Sequence, residues 1–217
     1  MATPYLQLWA DEVASTQDLA RAELDHLPVV VAAQRQTAGR GRGGAAWLSA
    51  PRALAVSLAF LPADEDLRPF SLMAGVAAAR CLEDVSLKWP NDLMAEGAKV
   101  GGILVERADE VVIGMGVNLW WPEAPEGMGA LRDVDPGPRL HTQIAGLWAA
   151  ELMRLIDAEG WPIDEYRSLC STLGREISWE PDGQGTAVDI TGGGALVVES
   201  SGARQTLTSG AIRHVRH

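Results

Sequence analysis

Cysteine is scarce. Only Cys81 and Cys170 occur in 217 residues. No C-x-x-C pair and no His/Cys cluster exists, so neither a disulfide framework nor a structural zinc site is expected. The first residues, Met1-Ala2-Thr3-Pro4, lack a basic n-region and an apolar h-region, so no secretory leader is expected. The longest apolar helical stretch, residues 72–82, is too short to cross a bilayer. These absences predict a cytoplasmic chain from a reducing compartment, with no membrane partner. Hydrophobic residues make up 47% of the chain, enough for a sizeable core.

Positive charge is also scarce. The formal net charge is −11, which argues against a nucleic-acid surface, because DNA binding needs clustered cations to displace counterions. Lysine is the rarer cation: sixteen arginines accompany Lys88 and Lys99 alone. Two lysines so close together suggest chemistry that needs a compact ammonium and not a planar fork. Acid is missing locally. Residues 26–63 contain no Asp or Glu but do contain Arg35, Arg40, Arg42 and Arg52. An electropositive island in an acidic chain suggests an anion site.

Periodicity and turn chemistry place a strand over residues 5–10 and a helix from Ser15 to about Leu24, with Ser15 as cap. Strands follow at 28–36, 54–61, 85–88, 92–95, 101–107 and 111–119, with an alanine-rich helix at 71–82. Residues 122–138 read as an acidic loop. Helices at 140–158 and 163–173 come next. After Gly174, short β-type runs alternate with Gly-rich turns, the pattern of a small antiparallel barrel. The boundary falls near Thr172, giving segments 1–171 and 172–217.

Four segments carry chemistry. Residues 38–44, Ala-Gly-Arg-Gly-Arg-Gly-Gly, lie between two strands. The glycines let backbone approach a ligand, and Arg40 and Arg42 offer bidentate donors to phosphate or carboxylate. No Walker Gly-Lys-Ser/Thr follows, and no G-x-G-x-x-G opens a helix here. From spacing alone, an anion-binding loop and a flexible hairpin with solvated arginines both stand. Lys88-Trp89-Pro90-Asn91-Asp92 forms a tight turn, either purely structural or offering Asp92 to a metal or an amine. Lys99-Val100-Gly101-Gly102 puts an ammonium beside bare backbone ahead of a strand, or else makes an ordinary hairpin. Gly114-Met115-Gly116-Val117-Asn118 places glycines inside an apolar strand, which weakens it unless something approaches closely. Asn118 then supplies an amide able to pair with an adenine edge.

Together and in this order, these segments resemble the biotin protein ligase family, in the group without an N-terminal DNA-binding domain. The family's Ser-Thr-Asn, G-R-G-R-x-G-R-x-W, K-W-P-N-D, K-x-G-G-I-L-x-E and G-x-G-x-N motifs correspond to Ser15-Thr16-Gln17, Gly39 to Trp47, Lys88 to Asp92, Lys99 to Glu106 and Gly114 to Asn118. The likeness is strong over residues 5–121. It extends to Thr208-Ser209-Gly210 and the closing run from Ile212 to Arg216. Two positions depart: Ala45 replaces a loop arginine, and Gln17 replaces the asparagine.

The resemblance implies an α+β fold. A mixed sheet carries helices, as in class II aminoacyl-tRNA synthetases, and is followed by a small SH3-like barrel. It implies ATP-dependent activation of biotin to biotinyl-adenylate, with Mg²⁺ accompanying the triphosphate. Transfer to a lysine of a biotin carboxyl carrier protein, such as that of acetyl-CoA carboxylase, would follow. By the same resemblance Lys99 bridges the biotin carboxylate and the α-phosphate, and Arg40 and Arg42 bind phosphate and close the loop. Ser15, Thr16, Gln17, Gln36 and Gly41 contact biotin, and Gly101 and Gly102 leave it room. Trp47 stacks on adenine while Asn118 hydrogen-bonds it. Asp92 orders a metal or deprotonates the incoming lysine; the metal ligands themselves stay open. A homodimer is expected. Three rivals remain: a lipoate- or octanoate-transferring relative of the same fold, a biotin-sensing repressor, and a non-catalytic biotin-binding protein. The short stretch before Ser15 and the net charge speak against the repressor.

Overall fold

The computed structural model describes residues 3–63, 68–137, 139–208 and 212–215. Ser209, Gly210 and Arg216 of the expected closing segment lie outside them. Seven strands form the main sheet: β1 (Leu6–Val13), β2 (Val29–Gln36), β3 (Arg52–Phe60), β4 (Ser86–Lys88), β5 (Asp92–Ala95), β6 (Ala98–Arg107) and β7 (Val111–Trp120). Their order is β1-β2-β3-β7-β6-β5-β4. Only β1 and β2 run parallel; every other pair is antiparallel.

Alternation along β2 divides the sheet's two faces. Val29 and Val31 join Ala20, Ala59 and Val112 beneath helix α1 (Thr16–Ala22). Val30 and Ala32 face the larger core, under α2 (Phe70–Cys81), α3 (Leu140–Asp157) and α4 (Ile163–Leu169). Covered on both faces, β2 reads as an unbroken apolar run. Helix α2 is buried along most of its length, which explains its alanines and its lack of a polar face. Helix α1 covers only part of its own face. Beyond it, the sheet is left bare where glycines stand on β6 and β7.

Strands β8 (Glu176–Trp179), β9 (Gly183–Ile190), β10 (Leu196–Ser200), β11 (Ala203–Leu207) and β12 (Ile212–His214) form a second, antiparallel sheet in the order β11-β10-β9-β8-β12. The α+β class and the change of texture after Gly174 are as expected. The two sheets share one core: Ile177, Ile190, Leu196, Val198 and Ile212 belong to the same buried cluster as Trp89 and Trp148.

Of the boundaries that differ from expectation, two bear on the site. Helix α4 stops at Leu169, four residues early, because the chain turns to pair with β4. The Ser171 N–H donates to the Leu87 carbonyl at 2.8 Å, and Leu87 bridges Cys170. Strand β6 starts at Ala98, so Lys99 lies within the strand and not in a turn before it. Among the described residues, no helix is long and apolar enough to cross a membrane.

Candidate active site

A cleft of about 300 Å³ opens on the bare part of the sheet. Its lining draws together Thr16, Gln17, Gln36, Arg40, Trp47 and Lys99, which the sequence had placed at a site. Gly41, Arg42, Asp92 and Gly102 join them. Ser15, Gly101 and Asn118 stand outside this lining.

Two cross-strand glycines make the floor. Gly102 and Gly116 face each other across β6 and β7. A Cβ on Gly116 would lie 2.8 Å from the Trp47 ring, and one on Gly102 would lie 3.5 Å from it. The indole therefore rests on backbone, and the missing side chains are what admit it. Trp47 is set there by the loop, which closes as a hairpin. Gly41 N–H donates to the Ala45 carbonyl at 2.7 Å, and Trp47 N–H to the Gly39 carbonyl at 3.0 Å. Ala45, where the family has arginine, is exposed.

Lys99 reaches the cleft because of a bulge. Leu93 pairs with Gly101 and Met94 with Lys99, leaving Val100 as the extra residue. Residues 99 and 102 would otherwise face opposite sides of the sheet; the bulge returns them to one face. The Lys99 Cε lies 3.7 Å from where a Gly102 Cβ would stand. Gly101 points the other way, toward the Gly116 carbonyl at 2.6 Å and Leu93 at 3.0 Å. Its lack of a side chain serves packing between strands, not the room for a ligand that the resemblance implied.

The mouth is charged, and Lys99 and Arg40 already hold carboxylates. Lys99 Nζ lies 2.5 Å from Asp92 Oδ1. Arg40 donates to both Asp18 oxygens at 2.6 and 2.8 Å and to Glu106 at 3.3 Å. This contact raises the Arg40 guanidinium above its ordinary value and lowers the Asp18 carboxyl below the usual carboxylate range. Arg42 donates to Asn91 Oδ1 at 3.3 Å. Three arginines of the electropositive island inferred from residues 26–63 are compensated in space. Arg35 pairs with Glu12, Arg40 with Asp18 and Glu106, and Arg52 with Asp135. Acids absent from the segment are supplied by β1, α1, β6 and a distant loop.

The closed end is neutral. Gln36 Oε1 accepts from the Thr16 N–H at 2.8 Å and from the Thr16 hydroxyl at 3.1 Å. The Ser57 hydroxyl stands 2.8 Å from that of Thr16. Ser15 caps α1 by accepting from the Asp18 N–H at 3.3 Å, and Gln17 donates to the Leu104 carbonyl at 3.4 Å. Asn118 shares the face of Gly114 and Gly116, but its amide braces surrounding backbone. It accepts from Ala50 N–H at 3.2 Å and donates to the Gly129 carbonyl at 3.1 Å.

Between the ends, the Lys88–Asp92 turn is held from several sides. Asn91 exchanges backbone and side-chain bonds with Ile103, at 2.8 and 2.9 Å. Ser71 donates to the Pro90 carbonyl at 3.1 Å. The Trp89 N–H donates to Thr172 Oγ1 at 3.0 Å, and its indole N–H to the Gly194 carbonyl at 2.9 Å. Ile212 of β12 also lines the cleft. The second sheet thus grips the turn that carries Lys88 and Asp92.

Sequence reasoning missed Ser57 and Ile212 as lining residues; Lys88, Asn91, Gly114 and Gly116 lay in the motifs it singled out but were assigned no contact. Ser57 had a signal: it is the one polar side chain inside the apolar run Ala53 to Phe60, and a buried hydroxyl needs a partner. Ile212 had none.

Comparison with known proteins agrees with this geometry. The biotin/lipoate A/B protein ligase family model matches residues 9–120. The chain is 32% identical to the biotin–[acetyl-CoA-carboxylase] ligase of Mycobacterium tuberculosis, over 87% of this chain and 79% of that protein. It is 35% identical to the bifunctional ligase/repressor of Bacillus subtilis, over 52% of this chain and 40% of that one. The structure of the Aquifex aeolicus biotin protein ligase in complex with biotin and ATP superposes with a TM-score of 0.81. That match has 25% identity and covers 97% of this chain and 99% of that one. The chain belongs to the biotin/lipoate A/B protein ligase family.

Proposed function

We propose that this chain is a biotin protein ligase, which makes biotinyl-adenylate from biotin and ATP and passes biotin to a lysine of a carrier protein. The observation that carries the reading is the cleft itself, with a closed neutral end and a mouth holding the re-aimed Lys99. A small polar ring suits the first, and two anions that must meet suit the second. The activity printed for the mycobacterial relative, and the biotin and ATP held by the Aquifex protein, support the same chemistry.

In this reading the biotin carboxylate attacks the α-phosphorus of ATP, and pyrophosphate leaves. A carrier lysine then attacks the acyl carbon, and AMP leaves. The work of the residues is to hold two anions together and to neutralise the charge that builds between them. Lys99 is the donor assigned to the carboxylate and the α-phosphate, which would replace Asp92 as its partner. Arg42, beside Asn91, is assigned to phosphate. Arg40 is assigned the loop closure, together with phosphate contact once Asp18 yields. Trp47 is assigned to adenine. Asp92, freed from Lys99, is assigned to accept a proton from the incoming lysine. Asn118 acts through Ala50 and Gly129, holding the loops that flank the adenine side. Segment 172–217 buttresses the Lys88–Asp92 turn.

Among the described residues, no group of three or more His, Cys, Asp or Glu is placed to hold a metal ion. No step is assigned to a resident metal; Mg²⁺ would enter with ATP. The carrier is taken to be a biotin carboxyl carrier domain. The reading is tested by incubating the protein with ATP, Mg²⁺, biotin and such a domain, and weighing the carrier. Addition of one biotinyl group is expected. Addition of a lipoyl group when lipoate is offered, and nothing with biotin, would replace this reading with the lipoate one.

A further inference from the structure

Ser57 is fully buried, yet it lines the closed end of the cleft. Its bonding direction follows from its neighbours. A backbone N–H only donates, so the Gln36 atom 2.8 Å from Thr16 N is the amide oxygen. The Thr16 hydroxyl, 3.1 Å from the same oxygen, must donate to it. That uses the single proton of Thr16. The 2.8 Å contact between the two hydroxyls therefore runs from Ser57 to Thr16. The chain of donation is Ser57 to Thr16 to Gln36, and each link strengthens the next.

We propose that Ser57 is a specificity-determining residue for the ligand's head group. By filling a lone pair of Thr16 Oγ1, it keeps the Thr16 hydroxyl a donor. The Thr16–Gln36 bond then presents a donor and an acceptor side by side. An adjacent C=O and N–H, as on the edge of a cyclic urea, replaces that one bond with two: Thr16 donates to the ligand carbonyl, and Gln36 Oε1 accepts from the ligand N–H. A dithiolane ring offers neither group and would break the bond without replacing it. Gly114, paired with Ser57 across β3 and β7, leaves the space. A Cβ there would lie 3.3 Å from Ser57 Oγ and 3.2 Å from Gln17. This inference rests on the biotin reading above, and it names the group that separates biotin from lipoate.

The test is calorimetric binding of biotin, of 5-(tetrahydrothiophen-2-yl)pentanoate, which lacks the urea, and of ATP. Wild type is compared with Ser57→Ala and with Ser57→Cys, which keeps an atom at the γ position and weakens the donor. Ser57→Ala should bind biotin about tenfold more weakly, as for loss of a buried hydrogen bond. Ser57→Cys should fall between the two. Affinity for the urea-free acid and for ATP should not move. Equal losses for both acids would overturn the proposal, because packing alone would explain them; so would unchanged biotin affinity in both variants. If wild type itself fails to prefer biotin over the urea-free acid, the biotin reading falls and this inference with it. If wild type prefers biotin and the variants match it, only the role of Ser57 falls.

Discussion

The two ends of the cleft are built on opposite principles. At the closed end, Thr16, Gln17 and Ser57 are buried, uncharged and bonded to each other or to backbone. At the mouth, Lys99, Arg40 and Asp92 are partly exposed, charged and bonded to carboxylates or ammonium that belong to the protein. A neutral hydroxyl or amide can be buried cheaply once it has a partner, so recognition can be preformed there. Charges are held differently. Lys99 and Arg40 each hold a carboxylate, which in the proposed reaction an incoming anion would replace. In the proposed reaction the closed end would select and the mouth would react.

Substitutions at the two ends should separate these tasks. The largest expected effect is at the mouth. Lys99→Ala should slow biotin-dependent ATP–pyrophosphate exchange by about 10²-fold or more, as for loss of a transition-state donor. Near-normal exchange would remove Lys99 from the chemistry. The floor should divide next. In Gly101→Ala the new Cβ meets the Gly116 carbonyl at 2.6 Å, and backbone cannot yield. A loss of about 1–3 kcal/mol is expected, read as a fall in Tm of several degrees. Gly102→Ala meets nothing closer than 3.5 Å, so its Tm should hold while ligand binding suffers. Matching stability losses would show that the bulge does not separate the two glycines.

A smaller effect tests the link from the mouth to the second sheet. Thr172→Val leaves the Trp89 N–H without its acceptor and should cost about 1–2 kcal/mol, with slower exchange because the Lys88–Asp92 turn loosens. Unchanged stability would mean that the Thr172 hydroxyl does not help to hold the turn. The smallest concerns pH. Burial, and then the charges of Lys88 and Arg175, push the His214 imidazole below its ordinary value. The folded protein prefers it neutral, so its contribution is complete above that ordinary value and is lost as pH falls from there through the lowered folded value. Acid melting curves of His214→Gln should show a shallower loss than wild type; parallel curves would discard His214 as a contributor.

Much of this was legible in the sequence, for reasons that differ by residue. The order of elements followed from apolar runs and turn residues, and most strands lie within a few residues of their expected ends. The grouping of Arg40, Arg42, Trp47, Asp92 and Lys99 in one cleft followed from motifs. Orientation was not legible. Whether Gly101 or Gly102 faces the cleft depends on a bulge at Val100, a property of pairing with β5 and not of local spacing. Charge balance was not legible either, since the partners of Arg40 lie 22 and 66 positions away. Asn118 was read from its amide chemistry and its place in the G-x-G-x-N motif, and the bonds of that amide to Ala50 and Gly129 were not legible there. The role of Ser57 depended on hydrogen-bond direction, which follows only once Thr16 and Gln36 are in place.

The most direct test of the account is pyrophosphate exchange into ATP by the purified protein, measured with biotin, with lipoate and with no acid. The account predicts exchange that depends on biotin, with lipoate at the level of the blank. Exchange supported equally by lipoate, or absent with biotin, would contradict it.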